Sequence, residues 1–139
     1  MKKAIILFLL LSFGFSQSIV FIQDNEIEIN DNEAVVEVLG MVCSMCAFGI
    51  GEGFSKTDFI DKSKFTDGVF VDIDAQYVQL GLLDSSNFNA EKIVQVIEDA
   101  GYDVNQLFIL QNEKLSNFNF DKLGILQQIA FNPSSKTEN

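Results

Sequence analysis

The chain has 139 residues, enough for one domain and a short extension. At 47% hydrophobic and 21% charged it is composed like a folded globular protein, which excludes a wholly disordered or collagen-like chain. It has no histidine, arginine or tryptophan, and its net charge is -11, so Ser-His-Asp, Cys-His and histidine–metal chemistry are excluded, as is a basic groove for nucleic acid.

Met1-Lys2-Lys3 precedes an apolar run from Ala4 to about Phe15, followed by Ser16-Gln17-Ser18. A basic start, a short apolar stretch and small residues at its end are the anatomy of a secretory signal peptide, residues 1–18, cut after Ser16 or Ser18. The run is too short for a spanning helix, which needs roughly 20 residues. The expectation is an exported, periplasmic or secreted protein with no stable membrane insertion after cleavage. Removing residues 1–18 takes away two lysines and leaves 7 lysines against 20 acids, a net charge of -13. Such a surface favours a soluble monomer and repels anionic lipid and nucleic acid.

Residues 19–32 read as a leader or an extra strand, since Glu26-Ile27-Glu28-Ile29 alternates and Asn30-Asp31-Asn32 is turn chemistry. Ala34, Val36 and Val38 alternate with Val35, Glu37 and Leu39 in a strand with at least one buried face. Ala47, Ile50 and Phe54 then form the apolar stripe of a helix, interrupted by Gly49, Gly51 and Gly53. Each glycine costs about 1 kcal/mol relative to alanine, so that helix depends on tertiary contacts. Asp58 to Asp67 reads as a partly packed loop or a second helical turn. Val69-Phe70-Val71-Asp72-Ile73 and Tyr77 to Leu82 are the second and third strands, joined through Asp74-Ala75-Gln76. Asn89 is an N-cap for a second helix with the stripe Ile93, Val96, Ile97 and Ala100, stopped by Gly101. Tyr102 to Leu110 is the fourth strand. Strand, helix, strand, strand, helix, strand is the ferredoxin-like βαββαβ pattern: an α+β fold, a four-stranded antiparallel sheet with two helices on one face. In the extension, residues 111–139, the spacing of Leu115, Phe118, Leu126 and Ile129 suggests a short amphipathic helix before a loose polar tail.

Chemistry concentrates in Gly40-Met41-Val42-Cys43-Ser44-Met45-Cys46, between the first strand and the first helix. Two cysteines three apart at a helix start can turn both sulfurs to one point, where the helix N-terminus favours thiolate. A pair of thiolates suits Cu(I), and by the same softness Hg(II). Structural Zn(II) wants four ligands, and with two cysteines and no histidine, carboxylates or a second molecule would have to complete that site. On spacing alone, metal binding, thiol–disulfide chemistry and an inert disulfide all stand. A thioredoxin-type enzyme needs a cis-proline facing the cysteines, and the single proline is Pro133. Met45 is expected to face solvent, and Asp72, Asp74 and Asp84 lack calcium-loop spacing.

Val38 to Cys46, then Gly68-Val69, then Ile97 to Val104 with its Ala100-Gly101-Tyr102, resemble the heavy-metal-associated domain family. That family includes copper chaperones, modules of copper-pumping ATPases and the periplasmic mercury-binding protein. The resemblance spans roughly residues 33–110. It implies that Cys43 and Cys46 are the metal-binding sulfurs, that Met41 tucks into the core beneath the loop, and that Tyr102 lies near the loop and limits solvent access. Ile50 and Phe54 would be core contacts of the first helix. Departures are a longer stretch between Cys46 and Gly68, the helix glycines, Val42 in place of a small polar residue, and the C-terminal extension. The expected function is non-enzymatic: holding Cu(I), or Hg(II), for scavenging or for ligand-exchange transfer to a membrane metal transporter or another metal-binding domain. The alternative is a redox protein or an interaction module whose cysteines form a disulfide.

Overall fold

The computed structural model describes residues 17–84 and 90–120 and the strand at 126–129. The expected signal segment up to residue 16, the Asn89 cap and the tail from Asn132 lie outside the described residues. The elements in chain order are β1 (Gln17–Ile22), β2 (Asn25–Asn30), β3 (Glu33–Leu39), α1 (Ser44–Ser55), β4 (Val69–Asp72), β5 (Tyr77–Gly81), α2 (Ala90–Asp99), β6 (Asp103–Gln111), β7 (Lys114–Phe120) and β8 (Leu126–Ile129).

β4, β5, β3 and β6 lie side by side in that order, each antiparallel to its neighbour. This is the strand order of the ferredoxin-like βαββαβ unit, with α1 and α2 as its crossovers. The sheet does not stop at four strands. β7 pairs with β6 and β8 with β7, making a six-stranded sheet, and β1 and β2 form a separate two-stranded sheet.

The helix expected in the extension is therefore corrected to strand. Asn112 and Glu113 both take positive φ, 53° and 60°, the backbone of a two-residue hairpin turn whose twist matches the flanking strands. That turn lays Lys114 opposite Gln111 and carries the pairing to Gln106 opposite Asn119. Once the turn forms, the ladder satisfies the backbone of residues 114–120. The residues expected as a leader or extra strand, 19–32, form the β1–β2 hairpin together with Gln17 and Ser18, which the expected signal segment of residues 1–18 included.

β3 is buried on both sides, which explains its nearly unbroken apolar run. Ala34, Val36 and Val38 join Ile50, Phe54, Ile93, Ile97 and Leu107 under the helices. Val35, with Phe108 and Leu110, is covered instead by Val20, Ile22, Ile27 and Ile29 of the hairpin. The sheet is thus the middle of three layers. Among the described residues no helix is long and apolar enough to cross a membrane.

The long connection between α1 and β4 is a packed loop rather than a helical turn. Phe59 and Ile60 are buried within it and Ile60 bridges to Leu82. Lys64 ties it to the β2–β3 turn, its Nζ donating to the carbonyls of Asp31 at 2.9 Å and Asn32 at 3.3 Å and to Glu33 Oε1 at 3.4 Å. At Gly68 a Cβ would lie 2.2 Å from Ile60 Cγ2, so only glycine fits there.

Candidate metal centre

β3, α1, the β4–β5 turn and the end of α2 converge on one loop. Leu39 ends β3, and Gly40 turns the chain with a φ of +89° that a side chain would strain. Met41 is then drawn into the core beneath the loop, 1% exposed, the position the family resemblance implies. Cys43 is the N-cap of α1, in extended conformation, and makes no side-chain cap bond. Cys43 is exposed, and its sulfur faces that of Cys46. Cys46 lies in the first turn, its N–H donating to the Cys43 carbonyl at 3.0 Å, and is buried with Ile50 and Phe54.

The two sulfurs are 3.3 Å apart and both cysteines are free. A disulfide would bring them to about 2.05 Å. The Cys46 thiol is lowered from 9.0 to about 7, first by a hydrogen bond from the Tyr102 side chain, then by backbone N–H of Val42 and by Cys43, against a smaller opposing effect of burial. The Tyr102 hydroxyl is correspondingly raised, because ionising it would remove that bond and set two anions together. The first turn of α1 carries no acidic side chain to oppose the thiolate.

Tyr102 reaches this point through the end of α2. Gly101 has a φ of +93°. Its N–H donates to the Glu98 carbonyl at 2.9 Å, and the N–H of Tyr102 to that of Ile97 at 3.2 Å. Those two bonds make a Schellman motif, which fixes the direction in which the chain leaves the helix. Ile50 and Phe54 are fully buried, as expected of the first helix's core face. Met45, Val42 and Phe48 are largely exposed around the loop. Asp72 is used locally, its Oδ1 accepting from the N–H of Ala75 at 2.9 Å.

One contributor was not visible in the sequence. Gln76, read only as part of a tight connection, reaches across to the loop and accepts from the N–H groups of Gly40 at 3.2 Å and Met41 at 3.1 Å. A glutamine in a turn carries no local sign of a partner 35 or 36 residues away. Among the described residues no group of three or more His, Cys, Asp or Glu side chains converges. The donor set is therefore two sulfurs, which suits a soft ion of low coordination and leaves zinc short of ligands.

No family model matches the chain, and no curated protein matches it. Among solved structures it is similar to the CopZ metallochaperone at 25% identity, over 52% of this chain and 97% of that one, with a TM-score of 0.44. It is similar to the yeast copper transporter domain Ccc2a at 24% identity, over 52% of this chain and 89% of that one, with a TM-score of 0.43. A protein of Bacillus anthracis str. Ames is 29% identical over 54% of this chain and all of that one, with a TM-score of 0.43.

Proposed function

We propose that this protein is an exported carrier of one soft metal ion, Cu(I) ahead of Hg(II), held between Cys43 and Cys46 and passed on by ligand exchange. The observation that supports the reading best is the sulfur pair itself. Two free thiols stand 3.3 Å apart at a helix start, and one of them ionises at about pH 7. Two metal–sulfur bonds in line, taken at the zinc–thiolate length of about 2.3 Å, span about 4.6 Å. The exposed Cys43 can swing outward to that separation while Cys46 stays in place.

Release then needs no bond in a substrate to break. A partner's thiolate joins the low-coordinate ion, and one sulfur of the carrier leaves. The receiving group would be another thiolate site, on a metal-binding domain or a membrane transporter.

The test is native mass spectrometry of the anaerobically reduced protein offered Cu(I), Hg(II) and Zn(II) in competition. One Cu(I) per chain is expected, lost in the Cys43→Ser/Cys46→Ser double variant. A protein that stays metal-free, or a double variant that binds as well as the parent, overturns the reading. Material that arrives lighter by a pair of hydrogens and takes up metal only weakly after reduction would support the disulfide alternative.

A further inference from the structure

The side chain with the most bonds to the metal loop lies outside it. Gln76 sits in the turn between β4 and β5 with a φ of +57°, and its backbone carbonyl accepts from the N–H of Val38 at 2.9 Å. Its Oε1 accepts from the N–H groups of both Gly40 and Met41. Its Nε2 donates to the carbonyls of Met41 and of Ile73, the latter at 2.5 Å. Both lone pairs and both hydrogens of one amide are therefore in use.

The bond to the Met41 carbonyl bears directly on the sulfurs. In a trans peptide the C=O and the following N–H point to opposite sides. With the Met41 carbonyl turned toward Gln76, the N–H of Val42 is turned away from it, so the amide fixes the plane of the peptide that leads into Cys43. We propose that Gln76 is the positioning residue of the metal loop, setting the backbone of Gly40 and Met41 and the Met41–Val42 peptide that leads into Cys43. The proposal rests on the reading of Cys43 and Cys46 as the metal site. It explains why glutamine stands here: aspartate and asparagine are a methylene too short, and glutamate has no hydrogens for the carbonyls of Met41 and Ile73.

Two variants separate positioning from bracing. Gln76→Asn keeps a residue that tolerates the left-handed backbone but withdraws the amide from the loop. Gln76→Glu keeps the length and the acceptor oxygen and loses the donor. In the reduced, metal-free protein, amide exchange by NMR should quicken at Gly40, Met41 and Val42 in Gln76→Asn. In Gln76→Glu it should quicken at Val42 while Gly40 and Met41 stay protected. Core amides such as Val36 and Leu107 should not change in either. Cu(I) affinity should fall by about 10- to 100-fold in both, the range for removing a partner that orients a metal ligand.

Unchanged Val42 exchange in both variants overturns the proposal, and so does unchanged Cu(I) affinity. A loss of affinity that only tracks a loss of core protection overturns it too, since Gln76 would then merely brace the fold. If one variant fails to fold, the other decides alone. A parent protein that takes no more Cu(I) than the Cys43→Ser/Cys46→Ser blank removes the metal reading, and the Val42 amide still decides the role of Gln76.

Discussion

The helix that carries Cys46 contains three glycines, and their surroundings differ enough to set opposite expectations. None of Gly49, Gly51 and Gly53 has a positive φ, so alanine can adopt the backbone of each. A Cβ at Gly49 or Gly51 would meet nothing within 4 Å. Replacing either by alanine should therefore recover the helix-propensity difference of about 0.8–1.0 kcal/mol. The double variant should gain about 2 kcal/mol, or roughly 8 °C in melting temperature for a domain of this size. At Gly53 the same Cβ would lie 2.8 Å from Val96 Cγ1 on α2. Valine in a helix has one strongly preferred rotamer, so the contact is relieved by moving α1 against α2. Overpacking of that kind costs about 1–3 kcal/mol, which offsets the propensity gain and leaves Gly53→Ala neutral to about 2 kcal/mol destabilised. Urea denaturation of the reduced, metal-free protein, followed by circular dichroism, reads all four variants. If Gly49→Ala and Gly51→Ala destabilise, or Gly53→Ala stabilises, the account of α1 as a weak helix held by close packing on α2 is wrong.

Two further outcomes follow from the site and the core. Tyr102→Phe should raise the Cys46 thiol above about 7, toward its ordinary 9.0, because the first of its stabilising bonds is gone. The pH profile of alkylation reads this directly, and an unmoved profile refutes the contact. The sign for stability is fixed by the depressed native value: the thiolate's contribution is fully present above about pH 9 and is lost as pH falls through about 7. Parent and Tyr102→Phe should accordingly converge in urea midpoint below pH 7 and separate above pH 9. Phe54→Ala removes a fully buried ring that meets Phe59 edge-on at 6.5 Å. It should cost about 3–5 kcal/mol in the same denaturation assay, and a loss below about 1 kcal/mol would mean the core closes over the gap.

How much of this was legible in the residues depends on how local each cause is. The helix and strand order of residues 33–110 follows from periodicity, because α1 and α2 bury one stripe and β4 and β5 join through a short polar turn. The cysteine pair at the strand-to-helix junction was equally plain, since its spacing needs only one turn of helix. The β6–β7 hairpin was not. Leu115 and Phe118 stand three apart, which fits a helix as well as a strand, and the deciding feature is a pair of left-handed residues, Asn112 and Glu113. Glutamate is not a residue that announces such a turn. The same holds at the tip of the β1–β2 hairpin, where Gln23 carries a φ of +53° in a position usually given to glycine. β1 was further obscured because Ile19-Val20-Phe21-Ile22 is a short unbroken apolar run without the alternation of a half-exposed strand. Gln76 was illegible for a different reason: its partners are brought to it only when β5 pairs with β3, and no local pattern records a side chain's reach across a sheet.

The two sulfurs differ in what holds them, and on the proposed function that difference orders the chemistry. Cys46 belongs to a helical turn, is buried, and is bonded to Tyr102 and to the loop backbone. Cys43 sits in an extended cap position, exposed and without a cap bond. An incoming thiolate therefore meets the metal from the Cys43 side, and Cys43 is the ligand free to leave. At 3.3 Å the pair also stands about midway between a disulfide, at about 2.05 Å, and a linear two-sulfur complex, at about 4.6 Å. Either state is reached by moving one sulfur a little over an ångström, inward or outward, with the helix and the core unchanged. By separation alone, both oxidation and loading are within reach of the pair. On the proposed function a bound ion, by tying up both sulfurs at the longer separation, holds them out of reach of each other.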